Sequence, residues 1–203
     1  DLRTPITSLR LRAELLDDAE ARERITATLD EMQRMVEATL AFARDEAQAE
    51  PVREVDLRAL VEGVVEDLAE LGRDARLLEG ERLVARVRPA ALKRAVRNLV
   101  ENAVAYGGRA RVRLVREGSE AVLTVDDDGP GIPADRLVEV FEPFVRLEAS
   151  RSSETGGVGL GLSIARGIAR GHGGEITLEN RPEGGLRARL RLPLGPPRPA
   201  GPA

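Results

Sequence analysis

The chain has 203 residues, 42% hydrophobic and 33% charged, with a net charge of −4, enough for one ordinary folded domain plus a smaller one and too apolar for a disordered chain. The acidic balance and an aromatic content of 2% leave neither a charged footprint nor a stacking platform for nucleic acid. With no cysteine and one histidine, disulfides and an ordinary zinc site are excluded, and no apolar run approaches the ~18 residues of a membrane span or marks a signal peptide.

The first segment, Asp1-Leu2-Arg3-Thr4-Pro5, runs straight into helical periodicity. Leu2, Ile6, Leu9, Ala13 and Leu16 form a heptad seam, and Ile25, Leu29, Met32, Val36, Leu40 and Ala43 form a second. The polar stretch Asp17 to Arg24 between them reads as a charged turn, so residues 1–46 are predicted to be an antiparallel helical hairpin. Pro5 belongs in the first turn of its helix or at a kink. Second stripes at Leu11 with Leu15, and Met35 with Phe42, stay uncovered on a lone hairpin. A homodimer closing a four-helix bundle would cover them. A monomeric hairpin lying on the second domain is the competing arrangement.

Residues 47–51 read as a linker, and 52–194 as the larger domain. Its predicted order is strand (about Val52–Val55), helix (Leu57–Leu71), strands (Ala75–Leu78 and Leu83–Val87) and helix (Pro89–Tyr106). Strands Ala110–Val115 and Ala121–Val125 follow, then a helix from about Gly159 to Arg170 and strands Glu175–Glu179 and Leu186–Leu192. Mixed order without strict alternation predicts an α+β sandwich, a mixed sheet with helices on one face. The Pro- and Gly-rich tail 195–203 is expected to be disordered.

Three stretches carry chemistry. Asp127-Asp128-Gly129-Pro130-Gly131 ends a buried strand in a turn suited to glycine and proline. A carboxylate there can accept from an exocyclic amine of a flat ring, and the bare glycines let backbone approach the ring. A surface hairpin turn is the plainer reading of this motif alone. On the helix from Pro89, Asn98 and Asn102 lie one turn apart on a face opposite Leu92, Val96, Leu99 and Ala103. Asparagine is a poor helix former but offers a hard oxygen ligand for Mg²⁺; two solvated asparagines are the alternative. Finally, Gly156-Gly157-Val158-Gly159-Leu160-Gly161-Leu162 opens a helix whose N–H groups can hold phosphate. Lys93, the only lysine, is followed by Arg94, which excludes a Walker A loop, and the polar residues before Gly156 exclude a Rossmann strand. That polar stretch, with Arg146, reads as a lid anchored by Phe141 and Phe144.

Taken in order, Asn98-Leu-Val-Glu-Asn102, Asp127-Asp-Gly129-Pro-Gly131, Phe141-Glu-Pro-Phe144 and Gly157-Val-Gly159-Leu-Gly161-Leu162 resemble the N, G1, F and G2 boxes of two-component sensor histidine kinases. Asp1-Leu-Arg-Thr4-Pro5 resembles the residues after their phosphoacceptor histidine, with the EnvZ subgroup nearest in character. The resemblance spans Asp1 to about Pro193. It implies a dimerisation and phosphotransfer hairpin, then a Bergerat-type domain binding ATP with Mg²⁺. Asp127 would take the adenine amine, with Gly129 and Gly131 shaping the pocket. Asn102 would ligate Mg²⁺, Asn98 and Arg146 would contact phosphates, and Tyr106 would lie beside the nucleotide. Gly157, Gly159, Gly161 and Leu162 would bind phosphate at the helix start. Asp1 would act as the base for the preceding histidine, expected just upstream of the chain. Thr4 would orient water for dephosphorylating a response regulator's receiver domain. A cytoplasmic core joined to the inner membrane through upstream segments is implied.

Ala105 stands where many members carry Lys or Arg. His172 resembles the family's histidine after the G2 helix and is expected to cap that helix end, not to accept phosphate. Two other classes are weighed: a gyrase- or MutL-type ATPase, which lacks the Asp-Leu-Arg-Thr-Pro hairpin, and a non-catalytic nucleotide-binding regulator, which Ala105 would suit.

Overall fold

A computed structural model of the chain describes residues 3–15, 18–29, 32–33, 50–145 and 159–195. The chain divides into two compact units, Asp1–Ala49 and Glu50–Ala203. The predicted seam positions Leu2, Leu16, Val36, Leu40 and Ala43, the stripe residues Met35 and Phe42, the lid and tail residues 196–203 lie outside the described residues.

In the first unit, α1 (Arg3–Glu14) holds Pro5 in its first turn, where a missing N–H costs nothing. A second helix, α2, covers 19–29, with 32 and 33 also helical. Ala13 and Leu29 bury each other, as the seams require. The expected turn over Asp17–Arg24 is shorter than read. Asp18 accepts from the backbone N–H of Glu20 and Ala21 at 2.9 and 3.1 Å, so the helix starts at its cap and the polar residues after it are helical. Leu9, Leu11 and Leu15 remain exposed on the single chain, the last two at 60% and 82%.

The second unit runs β1 (Arg53–Asp56), α3 (Leu57–Glu70), β2 (Ala75–Gly80), β3 (Val84–Val87), α4 (Pro89–Gly107), β4 (Ala110–Glu117), β5 (Glu120–Asp126), short 3-10 turns at Ala134–Arg136 and Glu139–Phe141, α5 (Gly161–Arg170), β6 (Glu175–Asn180) and β7 (Leu186–Pro193). The main sheet has five strands in the order β2-β4-β5-β7-β6. Only β2 and β4 pair in parallel; the other neighbours are antiparallel. β1 and β3 stand apart as a two-stranded ribbon, a separation that strand patterns alone did not indicate.

Register explains the core. Leu123 faces Leu114 and Leu190, and Val125 faces Val112 and Ala188, so the apolar side chains share one side of the sheet. With Leu57, Val61, Val64 and Leu68 of α3, Leu92, Val96, Leu99 and Val100 of α4, and Ala165 and Ile168 of α5, they make a single core. The other face carries Arg113, Arg187, Arg189 and Arg191 interleaved with acids such as Asp126 and Glu179. Val122 is its buried exception, flanked in register by Val115 and Arg191, whose aliphatic stem can cover it.

α4 begins with Pro89 and no capping side chain of its own. Glu50, forty positions earlier, supplies one: its two carboxylate oxygens accept from Ala90 and Ala91 N–H at 2.8 and 3.1 Å. The helix ends on Gly108 at φ 73, whose N–H donates to Val104 O. His172 closes α5 as expected, its Nδ1–H donating to Ile168 O at 2.7 Å, while Nε2 accepts from Arg88 N–H at 2.9 Å. That second bond, to the start of α4, was not foreseen.

Candidate functional site

The last residue of β5, Asp126, and the residue after it, Asp127, are consecutive carboxylates in opposite surroundings. Asp126 lies on the charged face, gripped by Arg187 at 2.6 and 2.7 Å and Arg113 at 3.2 Å. Burial alone would raise its pKa, but hydrogen bonds from Arg187, then the charges of Arg187, Arg181 and Arg113, hold it below the usual range. Asp127, 6% exposed, has no such clamp on its carboxylate. Burial pushes its pKa up, opposed by backbone hydrogen bonds from Gly129 and Leu186 and by the charge of Arg181. Both backbone donors reach the same oxygen, Oδ1, at 2.8 and 3.0 Å. Oδ2 accepts from no described residue, so the carboxylate is fixed by one atom and keeps an acceptor to spare.

The turn after Asp127 needs its glycines because it packs between the end of α4 and Asn180 at the end of β6. A Cβ on Gly129 would lie 2.8 Å from Tyr106 O, and one on Gly131, at φ 74, would lie 2.5 Å from Asn180 Oδ1. Asn180 clasps the far side of the turn, accepting from Ile132 N–H at 2.8 Å and donating to Ile132 O at 2.7 Å.

Further back on α4, Asn98 and Asn102 face the start of α5. Asn98 Nδ2 donates to Gly161 O at 3.2 Å, and a Cβ on Gly161 would sit 3.6 Å from Asn102 Nδ2. No described residue hydrogen-bonds the Asn102 side chain. α5 itself has no side-chain cap, and its first-turn N–H groups of Gly161, Leu162 and Ser163 have no acceptor among the described residues, as a helix start suited to an anion requires. Gly159, at φ 76, packs against Phe144, whose N–H donates to Gly159 O at 3.0 Å. The two phenylalanines, expected to anchor the lid, sit in different surroundings. Phe141 is buried, with the Arg166 guanidinium 4.4 Å above its ring. Phe144 is 49% exposed at φ 67, and its backbone makes the tie to Gly159.

The structure therefore brings Asn98 and Asn102 of α4 against Gly161, and the Tyr106–Gly107 end of α4 against Gly129 and Asp127, while Gly131 meets Asn180, Gly159 meets Phe144, and Leu162 lies in the first turn of α5. Tyr106 and Ala105 are exposed. Thr4 lies in α1 of the other unit, and Asp1, Arg146 and Gly157 are outside the described residues. The sequence reading missed Gly107, Asn180, Arg181 and Gly185. A Cβ on Gly107 would come within 2.5 Å of Asp127 Cβ, and one on Gly185 within 2.0 Å of Asp127 O. The Gly107-Gly108 and Gly184-Gly185 pairs were visible punctuation, but nothing local indicated that both press on Asp127.

A buried carboxylate on a glycine turn, two asparagines and an uncapped glycine-led helix, all on a helix-covered mixed sheet, define a class: residues 87–196 match the histidine kinase-, DNA gyrase B-, and HSP90-like ATPases. Residues 1–48 match the His Kinase A (phospho-acceptor) domain. The sensor histidine kinase GtrS of Pseudomonas aeruginosa is 48% identical over 200 residues, covering 95% of this chain and 40% of GtrS. The histidine kinase domain of the E. coli osmosensor EnvZ, solved by NMR, is 34% identical with a TM-score of 0.58, covering 77% of this chain and 97% of that one. Full-length ShkA, solved with AMPPNP, is 25% identical with a TM-score of 0.64, covering 95% of this chain and 43% of that one. The chain belongs to the two-component sensor histidine kinases of EnvZ-like type and carries their hairpin and ATPase domains. It spans less than half the length of GtrS. Among the described residues no helix is long and apolar enough to cross a membrane.

Proposed function

We propose that this chain is the catalytic core of a sensor histidine kinase. It binds Mg²⁺-ATP, passes the γ-phosphate to a hairpin histidine, and from there to an aspartate on a response regulator's receiver domain. The observation that carries the reading is that α4 unites the spare oxygen of Asp127 with the asparagine pair and the uncapped start of α5.

The residues fit such a ligand. Asp127 Oδ2 accepts from the adenine amine; a guanine oxygen there would meet an acceptor instead of a donor. A hydrogen bond to a charged partner is worth ~1.5–3 kcal/mol, enough for selection in a buried site. Gly129 and Gly131 let the turn approach the ring, and Tyr106 lies beside it. Asn102 offers its amide oxygen to Mg²⁺, which takes its remaining ligands from phosphate and water. Asn98 and Arg146 contact the phosphates, and the backbones of Gly157, Gly159, Gly161 and Leu162 cradle them. ATP supplies the transferable phosphoryl group. Asp1 takes the proton from the histidine expected before it, and Thr4 orients water for hydrolysis of the phosphorylated receiver-domain aspartate, which releases inorganic phosphate. Two chains pair through the hairpin, and upstream segments tether this cytoplasmic portion to the inner membrane. The family match at 1–48 favours this over a gyrase- or MutL-type ATPase, and a labelled hairpin would exclude a regulator that only binds nucleotide.

The test extends the chain by a histidine and a few helical residues ahead of Asp1. That protein should become labelled from γ-labelled ATP, with the label acid-labile and base-stable, while the chain beginning at Asp1 stays unlabelled. His172→Ala in the extended chain should leave labelling intact. An unlabelled extended chain, or label lost with His172, would overturn the assignment.

A further inference from the structure

We propose that Arg181, in the turn joining β6 to β7, is a positioning residue of the adenine pocket, holding the Asp127–Asp128 backbone so that Asp127 presents its spare oxygen to the base. The inference rests on the reading of Asp127 given above, and goes beyond the family motifs, none of which includes this turn.

Every polar group of Asp127 except Oδ2 is committed to the β6–β7 hairpin or to its own turn. Its N–H donates to Leu186 O at 3.0 Å, and its Oδ1 accepts from Leu186 N–H at 3.0 Å and from Gly129 N–H. Its carbonyl oxygen accepts from Arg181 Nη1 at 2.5 Å, and the same nitrogen donates to Asp128 Oδ1 at 3.0 Å. A single guanidinium nitrogen thus bridges consecutive residues, fixing the peptide plane from which the Asp127 side chain departs. Arg181 is itself held. Glu183 Oε1 accepts from its Nε and Nη2 at 3.2 and 2.9 Å, and the side chain is only 16% exposed. Its backbone closes the turn, its N–H donating to Gly185 O and its carbonyl accepting from Gly184 N–H, each at 3.0 Å. Gly185 has no room for a side chain because the Asp127 carbonyl lies against it.

A second consequence is electrostatic. Burial works against the Asp127 carboxylate, and Arg181 supplies the opposing positive charge. The other charges around it are Asp128, which disfavours ionisation, and Arg109, which pairs with Asp128; Arg187 of β7 is engaged with the neighbouring Asp126. α4 contributes Gly107 and no charge at the contact. Only the ionised carboxylate accepts from an amine on either oxygen, so losing Arg181 should cost both geometry and charge.

The experiment measures affinity for a non-hydrolysable ATP analogue from neutral to acid pH. It compares the chain with Arg181→Met, Arg181→Lys and Asp127→Asn, and thermal unfolding is followed in parallel. Arg181→Met should bind about tenfold more weakly at neutral pH, and its acid limb should move to higher pH. Arg181→Lys keeps the charge but not the fork, so its acid limb should stay near the parent's while affinity recovers only in part. If Arg181→Met is too unstable to titrate, Arg181→Lys with an unaltered affinity overturns the proposal, and with a reduced one supports it. Unchanged affinity and acid limb in Arg181→Met, with Asp127→Asn weakened at least about tenfold, would sink the role of Arg181 and leave the adenine reading standing. Normal binding by Asp127→Asn would sink the adenine reading first.

Discussion

Asp126 and Asp127 are neighbours in the chain with opposite electrostatic circumstances, because one meets two arginines and the other meets backbone N–H groups in a buried turn. The folded pKa of Asp126 is depressed, so its contribution to stability is present above the unfolded value of about 4 and is lost as pH falls below it. The folded pKa of Asp127 is raised, so its charged form is lost at a higher pH than in an unfolded chain. Affinity for an ATP analogue should therefore decline on acidification before the Asp126 cluster begins to cost stability. Calorimetry alongside thermal melts over the same pH series checks this; a simultaneous decline would contradict it. Asp127→Asn should lower affinity at least about tenfold, or ~1.4 kcal/mol, without unfolding the domain. Gly107 gives a test of opposite sign to the usual one. Replacing glycine by alanine where the backbone allows it stabilises by ~0.4–1 kcal/mol. Here the added carbon would lie within 2.5 Å of Asp127 Cβ. Gly107→Ala should lower both melting temperature and nucleotide affinity.

The helix that carries Asn98 and Asn102, α4, depends at its start on groups distant in sequence. Pro89 has no N–H to satisfy, and the next two donors both go to Glu50. The Arg88 N–H just outside the helix goes to His172, so the end of α5 and the beginning of α4 are fastened by an imidazole. Removing a capping acceptor costs ~0.5–2 kcal/mol. Glu50→Ala should accordingly lower the melting temperature of the ATPase unit by several degrees, and Glu50→Gln, which keeps acceptor oxygen but not charge, by less. Equal melting temperatures for all three proteins, read by circular dichroism, would remove the cap from the account. His172→Ala should also destabilise this unit, consistent with a structural rather than a phosphoryl-accepting histidine.

The chain as a whole leaves Leu9, Leu11 and Leu15 exposed on a hairpin whose described burial is limited to Ala13 and Leu29. Such a surface should be covered by a second copy. Light scattering should find a dimer, and Leu11→Glu with Leu15→Glu should give a monomer with unchanged nucleotide affinity; a monomeric parent chain would refute this. Much of this organisation was legible from residue order. Heptad spacing marks the hairpin because helical periodicity is local, and alternation marks β4, β5 and β7 because a strand repeats every second residue. Asn98 and Asn102 could be assigned to one face for the same reason. Separation of β1 and β3 from the main sheet, the reach of Glu50 and His172 to α4, the clasp of Asn180 on Ile132, and the grip of Arg181, Gly107 and Gly185 on Asp127 were not legible. Each joins residues far apart in sequence, and such contacts exist only after the sheet register and helix packing bring the segments together. The residue types that can bind a nucleotide follow from the local pattern; the atoms that hold them in place follow from the packed fold.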